Sequence, residues 1–326
     1  MPKRYRNTRP GLPAPTRLSS SVGARGAPYR VDIARYINAS CSVATRRAYA
    51  ADVAHFVKAG FTIPCREDQI AAYLAIHGQT LAVSTLRRRL VAIQHAHIAV
   101  NSPSPVNASI VKTMMRGIRR TRGASQRRVK AMDKRVLLKV LRAMDRDQQS
   151  NKLKRLRDRA ILLIGFAGGF RRDELVKLHV DDITRRRTRV ELHVRRSKTD
   201  QDGVGRKVFV PKSSGAHCPV KALWGWLRHA RITEGAIFRS VNRHGQISVD
   251  ALTAQSVAAI VKSSVAEAGL DPRQFAAHSL RAGFVTAATV ANVPVWQIKR
   301  VTGHRSDDVV ATYLRVAHRE RGVSLL

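Results

Sequence analysis

The sequence predicts a mainly α fold with a small antiparallel β-sheet: an N-terminal all-helical domain followed by a larger α+β domain. Three observations predict it. The chain has 326 residues, enough for two modest cores. Apolar residues recur at helical spacing on both sides of a basic, glycine-containing stretch between Arg116 and Arg135. Glu191–Val194 and Val208–Val210 alternate with period 2, with Asp202, Gly203 and Gly205 between them as turn residues.

Residues 1–27 hold Pro, Gly, Ser and Arg and no acid. They are expected to form a disordered basic tail, since Pro10, Pro13 and Pro15 interrupt any amphipathic transit helix. The helical domain is expected over 28–118, opening at Val31, Ala34, Arg35 and Ile37. Ser42–Lys58 reads as a helix capped by Thr45, with Tyr49, Val53 and Phe56 at helical spacing. Glu67–Ile76 and Leu81–His97 follow, the second carrying Arg87-Arg88-Arg89. Pro103 and Pro105 break the chain before a helix over Ser109–Arg119. A basic linker is expected at 119–132, because Arg116 to Arg135 holds nine basic residues and the single acid Asp133. The second domain, 133–326, opens with a helix over Lys134–Met144 behind Asp133 as its cap. A buried helix over Leu156–Phe170 comes next, then the hairpin. Helices are predicted at Val220–His229, Ala251–Ala268 (with Gly269 just beyond), Ser279–Val290, Pro294–Val301 and Ser306–Val316. Trp224, Trp226 and Trp296 are expected in the core.

Composition narrows the function. Lys and Arg number 60 against 22 Asp and Glu, a formal net charge of +38. Such self-repulsion implies a polyanionic partner, nucleic acid first and anionic membrane second. The basic residues are 45 Arg and 15 Lys. Guanidinium suits bidentate phosphate contact, although a GC-rich coding sequence also enriches arginine. The longest apolar run, Ala160–Phe170, has 11 residues where a membrane span needs about 20, and no signal peptide is visible. Cys41, Cys65 and Cys218 are odd in number and far apart, which fits a reducing cytoplasm. With no HExxH and no P-loop, neither zinc hydrolysis nor nucleotide-driven work is suggested, and no cofactor or metal is expected.

Several residues carry chemistry. Taken singly, Arg171 with Glu174 reads as a structural ion pair and Lys198 as a solvated hairpin tip. His278 and Arg281, three apart on one helix face, read as the start of a capped helix, and Tyr313 as a core aromatic. Taken together, two arginines, a lysine, two histidines (His304 the second) and a tyrosine suit a phosphodiester. Three cations hold the nonbridging oxygens and the charge developing at phosphorus. An acid protonates the leaving alkoxide, and a tyrosine hydroxyl can act as a nucleophile that conserves the bond energy.

In order, Gly169-Phe170-Arg171-Arg172-Asp173-Glu174-Leu175, Ser197-Lys198-Thr199-Asp200, His278-Ser279-Leu280-Arg281, Gly303-His304 and Tyr313, nine residues beyond His304, resemble the motifs of the tyrosine recombinases, the phage integrase family. The resemblance covers about 30–320. Arg172 and Asp173 depart from its common pattern, and 13 residues follow Tyr313, a short tail for the family's subunit contacts. It implies a core-binding helical domain and a tyrosine-recombinase catalytic domain. Tyr313 would attack the scissile phosphate to give a 3′-phosphotyrosine. Arg171, Arg281 and His304 would bind nonbridging oxygens, and Lys198 would protonate the 5′-oxygen. His278 would be the acid/base partner of the tyrosine, with Glu174 orienting Arg171. Thr45, Arg46, Arg87, Arg88, Arg119, Arg120, Arg127 and Arg128 are the expected DNA contacts. The implied partners are double-stranded DNA with a specific target site, a homotetramer on two sites, and DNA-bending or directionality factors of a mobile element. A type IB topoisomerase uses nearly the same residues, and a non-catalytic basic DNA-binding protein would explain the charge. A plasmid with two target sites separates these by yielding recombinants or only relaxed circles.

Overall fold

The computed structural model describes residues 41–123, 129–147, 151–197, 200 and 203–304. The predicted tail, Arg127, Arg128, Lys198, Tyr313 and the helix expected over 306–316 lie outside the described residues. The chain divides into two compact units, 1–126 and 127–326.

The first unit is helical: α1 (Val43–Lys58), α2 (Glu67–His77), α3 (Val83–Ala99) and α4 (Ser109–Arg122). Ser42, not Thr45, caps α1, its Oγ accepting the Thr45 amide at 3.1 Å. Both residues are good caps; the apolar spacing does not say which one stands outside the first turn. Helix α4 runs to Arg122, three residues past its expected end. The core is Phe56, Ile70, Tyr73, Leu74, Leu86, Leu90, Ile93 and Val111. One polar network interrupts it. Buried Asp52 accepts Arg88 Nε at 2.7 Å and Nη2 at 2.9 Å, while buried Arg89 donates to Tyr73 Oη at 2.7 Å.

The second unit opens with α5 (Lys134–Arg146), capped by Asp133 as expected, at 2.8 Å from the Val136 amide. Helix α6 (Lys152–Ala167) follows, capped by Asn151, then the short α7 (Arg172–Val176). The sheet is β1 (Ile183–Arg185), β2 (Arg189–Val194) and β3 (Arg206–Pro211), antiparallel in that order. Val190 faces Val210 and Leu192 faces Val208 across the predicted hairpin. All four are fully buried, each contributing roughly 1.5–3 kcal/mol by leaving water. Then come α8 (Pro219–His229), a second hairpin β4 (Arg239–Val241) and β5 (Ile247–Ala251), α9 (Ala254–Glu267), α10 (His278–Val290) and α11 (Val295–Thr302). Leu137, Val140, Leu141 and Met144 of α5 pack on Leu162, Leu163, Val261 and Val265.

Two expectations need correction. Trp226 is core, its indole donating to Ile237 O at 2.8 Å, but Trp296 is 62% exposed, because α11 turns its other face, with Ile298, inward. Residues 130–132 do not hang free. Met132 is fully buried, its amide donates to Ser279 O at 2.9 Å, and that of Lys130 donates to Gln274 O at 2.7 Å. Among the described residues no helix is long and apolar enough to cross a membrane.

Candidate active site

The site is assembled where α6 ends, α7 and α10 begin, β3 begins and α11 ends. Gly168 closes α6, and Gly169 turns the chain at φ +57°. A side chain there would meet the Phe284 ring at 2.8 Å and Thr302 Cγ2 at 3.0 Å, so both conformation and space require glycine. That turn aims the Gly169 carbonyl at Arg281, whose Nη1 donates to it at 2.8 Å. Arg281 is fully buried.

Arg171 occupies the position before α7. Its amide donates to Glu174 Oε2 at 2.9 Å, its Nη1 to Oε1 at 2.8 Å and its Nη2 to Gly303 O at 3.4 Å. The same buried carboxylate receives a second guanidinium. Arg206 places Nη2 on Oε2 at 2.7 Å and Nη1 on Oε1 at 3.2 Å, and its Nε donates to Val301 O at 3.1 Å. Burial alone would raise the Glu174 pKa. Its bonds to Arg206 and then to Arg171 outweigh that and hold it below the usual carboxylate range.

His278 is the first residue of α10. Ser279, where the helix was expected to begin, is its second residue, fully buried, its Oγ accepting the Ala276 amide at 3.0 Å. His278 and Arg281 keep their one-turn spacing. His278 is exposed, yet loss of hydration, then the charges of Arg281 and Arg171, lower its pKa. His304 follows α11 after Gly303, which has φ +66°. Its Nδ1 lies 2.8 Å from Thr302 Oγ1. Loss of hydration, then Arg281, Arg171, His278 and Arg206, lower its pKa to about 3.

The structure thus brings together Arg171, Glu174, His278, Arg281 and His304 of the predicted set. Lys198 and Tyr313 lie outside the described residues, but the base of the hairpin turn is described. Ser197 and Asp200 bridge antiparallel, and the Asp200 carboxylate accepts the amides of Val204 at 3.1 Å and Gly205 at 2.7 Å. Three guanidiniums against one carboxylate leave two net positive charges around neutral imidazoles. The place is fit for a phosphodiester monoanion and for the further charge that a pentacoordinate phosphorus develops. Among the described residues no group of three His, Cys, Asp or Glu is placed to hold a metal ion.

Arg206 and Thr302 were missed by sequence reasoning. A cation opening a strand and a threonine ending a helix read as ordinary solvent-side residues; only the fold brings Arg206 to Glu174, and only the turn after α11 sets His304 against the Thr302 hydroxyl. Of the expected DNA contacts, Arg87, Arg119 and Arg120 are exposed. Arg88 is exposed but tied to Asp52. Thr45 and Arg46 are half-buried, with Arg46 Nη1 donating to Cys41 O at 3.3 Å.

The sequence profile described as the phage integrase family matches residues 130–320. An integrase/recombinase xerD homolog of Selenomonas ruminantium is 36% identical over 279 residues, 83% of this chain and 81% of that protein. Two solved structures share the fold. XerH site-specific recombinase, in a post-cleavage complex with palindromic difH substrate, superposes with TM-score 0.64 at 18% identity over 90% of this chain and 82% of that one. A lambda integrase dimer bound to a COC′ core site gives 0.60 at 17% identity, over 92% and 79%.

Proposed function

This chain belongs to the phage integrase family of tyrosine recombinases, and on that premise we propose how its residues divide the work of breaking and rejoining DNA. Tyr313 attacks the scissile phosphate and leaves a 3′-phosphotyrosine and a free 5′-hydroxyl; attack by a 5′-hydroxyl from a partner duplex reverses the step without ATP. Arg171 and Arg281 hold the nonbridging oxygens. His304 contacts the same oxygens, Lys198 protonates the departing 5′-oxygen, and His278 exchanges the proton of the tyrosine. Glu174 fixes Arg171. A tyrosine of ordinary pKa, about 10, ionises more readily beside these cations.

The observation that carries this reading is the convergence of Arg171, His278, Arg281 and His304, distant in sequence, on one cluster locked by Glu174. A scaffold alone does not require two guanidiniums and two proton-poor imidazoles in one place.

Residues 28–122 form the core-binding domain, 123–129 the linker and 130–326 the catalytic domain, since α4 runs to Arg122 and residues 130–132 bond to the second unit. Arg87, Arg88, Arg119, Arg120, Arg127 and Arg128, with Thr45 and Arg46, contact the duplex backbone. Four protomers act on two target sites in the cytoplasm, with DNA-bending or directionality factors as further partners. Covalent trapping is the test. On a nicked suicide duplex carrying the target site, the wild type leaves a protein–DNA adduct on a denaturing gel. Tyr313→Phe leaves none while binding the duplex as the wild type does. An adduct that survives in Tyr313→Phe removes the tyrosine from the mechanism.

A further inference from the structure

The hydrogen bonds around Thr302 decide which nitrogen of His304 carries a proton. Thr302 is fully buried, and its hydroxyl donates to Ile298 O at 2.7 Å. A hydroxyl has one hydrogen, so toward His304 Nδ1, at 2.8 Å, its oxygen can only accept. Nδ1 therefore bears the hydrogen. A neutral imidazole has one N–H, so Nε2 holds a lone pair. The opposite tautomer would set two lone pairs against each other or break the bond of the Thr302 hydroxyl to Ile298 O.

We propose that Thr302 is a positioning residue that holds His304 as the Nδ1–H tautomer, so that Nε2 meets the DNA phosphate as a proton acceptor and binds it only after gaining a proton. This deepens the recombinase reading above and rests on it. The guanidiniums facing His304 come from three other elements, Arg281 on α10, Arg171 before α7 and Arg206 on β3, with the titratable His278 beside Arg281 on α10. All disfavour an imidazolium, and burial does so more. A phosphodiester reverses that balance. Its negative charge offsets the guanidiniums, a proton from solvent joins Nε2, and the Nε2–H⁺ donates to a nonbridging oxygen while Nδ1–H stays on Thr302. Proton uptake thus accompanies phosphate engagement.

Two measurements test this. Histidine ¹⁵N spectra of the DNA-free full chain should show His304 with a protonated Nδ1 and a bare Nε2. Thr302→Ser, which keeps the hydroxyl, should preserve that pattern. Thr302→Val, close to isosteric, leaves Nδ1 against a methyl group, and the tautomer should invert. In single-turnover cleavage of the suicide duplex, wild type and Thr302→Ser should slow together as pH rises. Thr302→Val, with a donor at Nε2 that needs no uptake, should lose that alkaline decline. A His304 signal with bare Nδ1 in the wild type, or one unmoved by Thr302→Val, overturns the proposal, as do identical pH profiles for wild type and Thr302→Val. The spectra involve no DNA, so they judge the tautomer even if the wild type forms no adduct, an outcome that would strike the recombinase reading alone.

Discussion

An alkoxide is a poor leaving group at neutral pH and needs a proton in the transition state, which makes Lys198 separable from the arginines by chemistry. Lys198→Ala should cleave an ordinary duplex on the order of 10²-fold more slowly. It should recover when sulfur replaces the 5′-bridging oxygen, because a thiol, with pKa about 8.5, leaves without a proton. Arg171→Ala should not recover, since the task proposed for it lies at the nonbridging oxygens. Equal slowing of Lys198→Ala on both duplexes would move the acid role to His278. Arg206 answers to a different measurement. Arg206→Met leaves buried Glu174 with one guanidinium instead of two. Breaking a buried pair costs roughly 3–5 kcal/mol, and Arg171 still neutralises the carboxylate, so a loss of about 2–3 kcal/mol in denaturant unfolding is expected. Less than about 0.5 kcal/mol, the scale of an exposed pair, would mean that Arg171 alone satisfies Glu174. Arg171, His278, Arg281 and His304 could be singled out in the sequence because the short motifs that hold them stand in a fixed order, and the fold brings these four together. Arg206 was illegible because its partner Glu174 lies 32 residues away on another element, and Thr302 because a hydroxyl two residues before a histidine has no meaning until the turn at Gly303 sets the two together.

Helix α10 carries His278 and Arg281, so its seat determines where they stand. That seat is the extended segment 130–132, held by the amides of Lys130 and Met132. A Cβ built on Gly283 would lie 1.9 Å from the Met132 carbonyl oxygen, and a backbone bonded on both sides of that point yields little. Gly283→Ala should therefore destabilise the protein by about 1–3 kcal/mol, the usual range for overpacking, and slow cleavage by displacing Arg281 from Gly169 O. Unfolding and adduct formation measure the two effects; a variant with wild-type stability would show that the segment gives way freely. The same segment shows where pattern reading ends. The long helices and the β2–β3 hairpin announce themselves by periodicity. Strands β1 and β4, three residues each, are too short to show a period, and Lys130–Met132 looked like linker because its charges conceal one buried methionine. Trp296 was assigned inward on hydrophobicity alone, although an exposed apolar residue is ordinary.

A net charge of +38 repels itself in every folded state and is relieved only by an opposite charge of similar density. Duplex DNA supplies one at about one negative charge per 1.7 Å. Each phosphate neutralised releases counterions, so salt dependence counts the contacts. The contacts proposed for Arg87, Arg119, Arg120, Arg127 and Arg128 with Arg171 and Arg281 would number roughly seven, a log–log slope near −6 at about 0.9 per contact. Arg88 enters differently. Asp52 takes its Nε and Nη2 and offsets much of its charge, so it releases fewer ions than a free arginine would. Anisotropy titrations of a random-sequence duplex across a salt series should thus show Arg87→Ala reducing the slope by nearly one. Arg88→Ala should hardly move it, although removing the guanidinium leaves buried Asp52 with Arg89 Nε alone, at 3.5 Å, and should lower the melting temperature. Equal slope changes for the two variants would mean that Arg88 leaves Asp52 for the phosphate. A wild-type slope shallower than about −3 would mean that most of these arginines face some partner other than the duplex.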